Sequence, residues 1–135
     1  MFIPKKTKFT KQHKGRSINK IVINKLQNTN KSNVIYLKAI SSGRIYSNQL
    51  VACRQTINKI IKKNGQLITH AFADTPITKK PTEIRMGKGK GAVNFWAYKA
   101  KAGSVLFELN TSVKILGIKA LKLIQNKLPI STKIV

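Results

Sequence analysis

Residues 76–96 read PITKKPTEIRMGKGKGAVNFW, and up to Gly91 the stretch follows the period of neither a helix nor a strand. Whatever this chain folds into must accommodate a long irregular connection here. Pro76 and Pro81 lack backbone donors and push the residues before them toward extended geometry, so residues 75–82 are expected to be non-helical. Gly87, Gly89 and Gly91 then alternate with Lys88 and Lys90. Glycine at every second position lets successive amide N–H groups turn to one side and approach an anion closely, while the lysines between them supply charge. Lys79, Lys80, Arg85, Lys88 and Lys90 face Glu83 alone as acid between residues 76 and 91. A functional loop over residues 73–91, built to hold a phosphate backbone, is the expectation.

Two phosphate-binding motifs compete for the glycines. Gly87-x-Gly89-x-x-Ala92 has the spacing of a dinucleotide fingerprint, with Glu108 near the expected distance, but that motif follows a strand and opens a helix. Here prolines precede it, and Val93, Phe95 and Trp96 follow in strand-like order. A P-loop fails because no Gly-Lys pair in the stretch is followed by Ser or Thr. A plain solvated loop explains the glycines alone; the charge of the whole chain argues for a ligand.

Lysine and arginine number 27 against three acids, Asp74, Glu83 and Glu108, a formal net charge of +24. A surface so one-sided repels itself, which disfavours the compact free state and calls for a polyanionic partner. Nucleic acid is the obvious one. The 135 residues suffice for one domain with a genuine core, and 41% hydrophobic residues argue against a disordered tail. Cys53 is the single cysteine, which excludes an internal disulfide and a cysteine-based zinc cluster. It falls inside an expected helix as a small buried residue. No metal and no cofactor are expected. Apolar runs stay well short of about 18 residues, so no membrane span is expected. Lysine dominates the cations, and isoleucine and asparagine are frequent; their codons are A/T-rich, and an organellar genome is one source of such a bias.

An arm over residues 1–17 carries positives with no acid and too few apolar side chains to order alone, so it is expected to order on RNA. Pro4 and the lysine dominance fit a targeting peptide poorly. The remainder, residues 18–135, is expected to form one α+β domain: a mostly antiparallel sheet with two helices packed on it. Strands are predicted over residues 18–26, 33–40, 44–46, 66–72, 92–99, 104–109 and 130–135, with QNTNKS as a loop after the first. Residues 92–99 and 104–109 read as a hairpin across KAKAG. One helix is predicted from an N-cap at Ser47 to about Lys63, with Leu50, Arg54, Ile57 and Ile61 as its inner stripe and Gly65 as its stop. Asn110 and Thr111 are predicted to cap a second, which buries Val113, Leu116, Ala120, Leu123 and Ile124 and ends at Pro129. His70 is the most tempting catalyst, but no sequence motif pairs it with a carboxylate. A small ribonuclease using His13 or His70 as acid and base with a lysine as charge stabiliser, and a free RNA chaperone, are the rival readings.

PKKTKFTKQHKGR near the start, the 76–96 stretch and the terminal KALKLIQNKLPISTK together resemble the L-sixteen family of large-subunit ribosomal proteins of bacteria and organelles, in order and spacing over nearly the whole chain. The resemblance implies an α/β-hammerhead-type fold bound to large-subunit rRNA beside the tRNA path, late entry into the subunit and no catalytic residues. Carried over by position, Lys5, Lys6, Lys8, Lys11, His13, Lys14 and Arg16 form the rRNA-binding arm, joined by Lys79 and Lys80. Arg85, Met86, Gly87, Lys88, Gly89, Lys90 and Gly91 form the loop at the tRNA cleft, and Arg85 matches an arginine that some bacterial members hydroxylate. The implied partners are large-subunit rRNA, tRNA and neighbouring ribosomal proteins, with no membrane and no homo-oligomer. This chain departs from the family over residues 17–33, at His70, Ala73 and Thr75, where the family has Arg, Pro and Lys, and in lacking an acidic first turn on its second helix. A match starting near Pro4 leaves no room for an import sequence, so synthesis inside an organelle is expected, the mitochondrion ahead of the plastid.

Overall fold

Two sheets hold the β-strands in the computed structural model, which describes residues 2–15, 21–22, 33–87 and 89–135. The described chain runs β1 (Val34–Ala39), β2 (Gly43–Tyr46), α1 (Ser47–Ile61), β3 (Gly65–Thr69), β4 (Thr75–Lys79), β5 (Ala92–Ala100), β6 (Val105–Thr111), α2 (Lys114–Gln125) and β7 (Thr132–Ile134). Sheet A has the order β3-β6-β1-β7 and sheet B the order β2-β5-β4. Every strand pair is antiparallel. This is the expected α+β class, with the single expected sheet divided in two.

Alternation builds sheet A. Ile35, Leu37 and Ala39 of β1 and Phe107 and Leu109 of β6 are buried, as a period of two requires when one face meets a core. Against them pack Leu50, Cys53, Ile57 and Ile61 of α1 and Ala120, Leu121 and Ile124 of α2. Ile45 of β2 and Ala100 of β5 extend the same cluster into sheet B. Each fully buried aliphatic side chain stabilises the fold by roughly 1.5–3 kcal/mol.

The hairpin expected across KAKAG does not form. β5 pairs with β2 and β4, whereas β6 pairs with β1 and β3, so this turn carries the chain from one sheet to the other. Gly103 N–H donates to Ala39 O at 2.7 Å and ties the crossover to the end of β1. Helix faces also shift. On α1 the stripe runs through Cys53, and Arg54 is exposed. On α2 the buried set is Gly117, Ala120, Leu121 and Ile124, a spacing of three, four and seven, while Val113 and Leu123 are exposed. A side chain at Gly117 would come within 2.9 Å of Ile35 Cδ1, so the small residues let α2 approach β1. The larger side chains were the misleading signal.

Boundaries move for local reasons. Tyr46, not Ser47, caps α1, and its N–H donates to Gln49 Oε1 at 2.9 Å. The helix stops at Ile61, where Lys62 turns to φ 52° before Gly65 is reached. Thr111 closes β6, and Val113 caps α2. β3 ends at Thr69, leaving Phe72 exposed. Residues 75–79 of the expected loop are the strand β4. β7 is an edge strand as expected. The strand expected over residues 18–26 and the loop after it lie outside the described residues except at Ile21 and Val22, where Val22 N–H donates to Ala102 O at 2.8 Å.

Candidate nucleic-acid interface

Sheet B is the base of the glycine-lysine loop. β4 is an edge strand with Pro76 opposite Trp96, a place where a missing donor is tolerated. Lys79 pairs with Ala92, so the loop proper spans residues 80–91. Its two stems nearly touch: a Cβ on Gly91 would lie 2.6 Å from Lys79 O, which makes glycine the fitting residue. At the tip Gly87 and Gly89 take φ 101° and 85° with open space around them, a left-handed geometry that costs other residues about 1–2 kcal/mol. Lys80 Nζ donates to Gly87 O and braces the tip from inside. Ile84 and Met86 remain exposed there beside the cations, Met86 completely.

The arm reaches this loop. Lys11 Nζ donates to Lys90 O at 2.7 Å, and Lys90 Nζ donates back to Gln12 O. Two residues on, Gly15 N–H donates to His13 Nδ1 at 3.2 Å, and Arg44 Nη2 of β2 donates to Gly15 O at 2.6 Å. Within the arm, Lys11 and Gln12 thus meet the loop and Gly15 meets β2 of sheet B. Lysines of arm and loop, 79 residues apart for Lys11 and Lys90, thereby present one cationic surface.

Of the expected site residues, Lys5, Lys6, Lys8, Lys11, His13, Lys14, Lys79, Arg85, Met86, Gly87, Gly89 and Lys90 are exposed, and Lys80 and Gly91 are half-buried. Arg16 and Lys88 lie outside the described residues. The geometry joins Lys11 to Lys90 and Lys80 to Gly87. It leaves Lys5, Lys6, Lys14, Lys79 and Arg85 reaching into solvent, with Lys8 5.6 Å over the ring of Phe9. Sequence reasoning missed Gln12 and Arg44, whose roles come from what lies beside them in space. It also missed the Tyr46–Phe95 ring pair on sheet B, with centroids 5.5 Å apart; the alternation in both strands was the available signal.

One contact between a basic side chain and a carboxylate occurs among the described residues, and it lies elsewhere. His70 Nε2 is 2.9 Å from Glu108 Oε2, beside the register pair Ile68↔Glu108 of sheet A. Tyr36 stands opposite Glu108 on β1, and burial, followed by that carboxylate's charge, raises its hydroxyl pKa. The cations of arm and loop therefore have no carboxylate partners among the described residues. His13 belongs to the surface on sheet B, so the described contacts do not bring the two histidines together. Among the described residues no three His, Cys, Asp or Glu side chains gather into a metal site. No described helix is long and apolar enough to cross a membrane.

Comparison with known proteins shows the family of the chain. The family model described as ribosomal protein L16p/L10e matches residues 4–135. The chain is 43% identical over 132 residues to large ribosomal subunit protein uL16 of Blochmanniella pennsylvanica, covering 98% of this chain and 96% of the relative. It is 42% identical over 135 residues to the proteins of the same name from Cereibacter sphaeroides and Psychrobacter arcticus, covering 100% of this chain and 96% of each. With its full folded length matched and its basic arm and loop held side by side, the chain belongs to the L16p/L10e family of ribosomal proteins.

Proposed function

We propose that this protein is a non-enzymatic constituent of the large ribosomal subunit that binds rRNA through its arm and sheet B and presents the 80–91 loop to tRNA. The observation that carries the reading is the junction of Lys11, Gln12 and Lys90, which merges two distant basic segments into a single cationic surface without carboxylate partners among the described residues. Lys5, Lys6, Lys8, Lys11, His13, Lys14, Arg16, Lys79 and Lys80 contact rRNA phosphates in this reading. Such contacts position the protein without reading sequence. Residues 85–91 form the finger toward the tRNA cleft, where the exposed Met86 and Ile84 offer apolar surface to bases or ribose. The protein enters the subunit late, as a single copy beside neighbouring ribosomal proteins. The lysine-, isoleucine- and asparagine-rich composition supports an organellar, mitochondrial ribosome as its location, although the relatives named above are bacterial.

Salt titration against a large-subunit rRNA fragment tests the reading. Affinity is expected to fall by about 0.7–0.9 log units per log unit of salt for each phosphate contact; a flat response overturns it. Lys90→Ala is expected to impair tRNA accommodation more than incorporation into subunits. Loss of the variant from subunits, with normal tRNA binding in the remainder, would remove the loop assignment.

A further inference from the structure

We propose that the groove between the start of the arm and α1 is a pocket for one unstacked RNA base. The inference rests on the rRNA-binding reading above and adds a contact that phosphate attraction does not supply. The groove has a volume of about 600 Å³ and is lined by Phe2 together with Asn48, Arg54, Gln55 and Asn58 of α1. That falls within the range of about 300–1,000 Å³ typical of small-ligand pockets. The guanidinium carbon of Arg54 lies 5.8 Å from the centre of the Phe2 ring. An aromatic ring and a guanidinium plane are the two protein surfaces on which splayed-out bases stack.

The polar lining suits the edge of a base. Asn48 and Gln55 are seven residues apart, and Arg54 and Asn58 four, so helical geometry turns them to one side of α1. No hydrogen bond from the amides of Asn48, Gln55 or Asn58 to another described residue is present. Each amide offers an acceptor and two donors, the complement of a Watson–Crick edge. Just beyond Pro4 in the chain, Lys5 and Lys6 are exposed and in this reading meet the flanking phosphates. A regular duplex does not fit, because its bases are stacked on one another and leave no free face for an aromatic ring or a guanidinium plane.

The test uses the full chain, a single-stranded RNA hexamer and a ribose-phosphate hexamer with no bases, compared by fluorescence anisotropy at one salt concentration. The base-bearing hexamer is expected to bind at least about fivefold more tightly. Phe2→Leu, which keeps apolar packing, and Arg54→Lys, which keeps charge, are each expected to shrink that advantage by about 5- to 100-fold, within the limit of its size, while leaving the base-free hexamer's affinity unchanged. Lys5→Ala should do the opposite, weakening both polymers alike and lowering the salt slope by about 0.7. Equal affinity for the two hexamers, or equal loss for both in Phe2→Leu and Arg54→Lys, overturns the pocket but leaves the rRNA-binding reading standing if salt dependence is steep. Failure of both hexamers to bind removes the pocket and the RNA reading together. An acidic apolar peptide that protects Phe2 and Asn58 where RNA does not would also overturn it, assigning the groove to a protein partner.

Discussion

Sheet A and sheet B share antiparallel pairing and one continuous core, yet they are finished in opposite ways. Sheet A is sealed: Leu37, Phe107 and Leu109 have no solvent exposure, α2 lies against it, α1 packs on its β3 as well as on sheet B, and its Glu108 already has His70 as a partner. Sheet B is left open. Tyr46 and Phe95 stay exposed on it, its long loop projects into solvent, and the arm lies along it through backbone carbonyls that accept from lysine and arginine. The RNA contacts proposed for the arm and loop thus lie outside the sealed sheet, so substitutions should separate them from stability.

The largest effect is expected in the sealed sheet. Phe107→Ala should destabilise the fold by about 3–5 kcal/mol in urea unfolding; a cost below about 1 kcal/mol would mean that sheet A is not the stabilising layer. Next comes Gly91→Ala, where the new methyl meets the Lys79 carbonyl and should cost about 1–3 kcal/mol, with broadened signals confined to the loop stems in NMR. Equal broadening across β1 and β6 would erase the division between the sheets. A smaller effect concerns Cys53, whose thiol pKa burial pushes up to about 11, with Lys127 opposing the shift. Between about pH 9 and pH 11 the unfolded chain loses a thiol proton that the folded chain retains, so stability should fall as pH rises through that window and be unaffected below it. Relative to Cys53→Ala, the loss should be on the order of 1 kcal/mol by pH 10.5, and a thiol reagent should modify Cys53 at pH 8 only after unfolding. Smallest of all, Lys90→Ala should change stability by less than about 0.5 kcal/mol while lowering the salt slope of RNA binding by about 0.7–0.9. A large stability loss there would show that the loop holds the fold together.

Much of this was legible in the chain because local chemistry dictated it. β1 and α1 follow from alternation and from a three-four apolar spacing, and the loop tip follows from glycines that turn to φ 101° and 85°. What escaped depended on relations between distant segments. Residues 92–99 and 104–109 resemble a hairpin because neighbouring strands usually pair, yet each had a better partner elsewhere, β2 and β4 for one and β1 and β3 for the other. The inner face of α2 was hidden because Gly117 and Ala120 carry little hydrophobic signal, though close approach to β1 requires small residues there. His70 and Glu108, 38 residues apart, meet only through the register of β3 on β6. Two lysines exchanging bonds with each other's segments through main-chain oxygens leave no motif to read.

The edge strand β4 gives sheet B one more property. A protein this basic must pass some time without its RNA, and during that time the outer margin of β4 is a row of backbone groups that a strand from another molecule could extend. Thr75 and Pro76 are buried at the start of that margin, so its open part is short, and the exposed Lys79 at its end repels copies of the same chain. The margin is guarded against fibril growth by its own chemistry until the ribosome takes the molecule up.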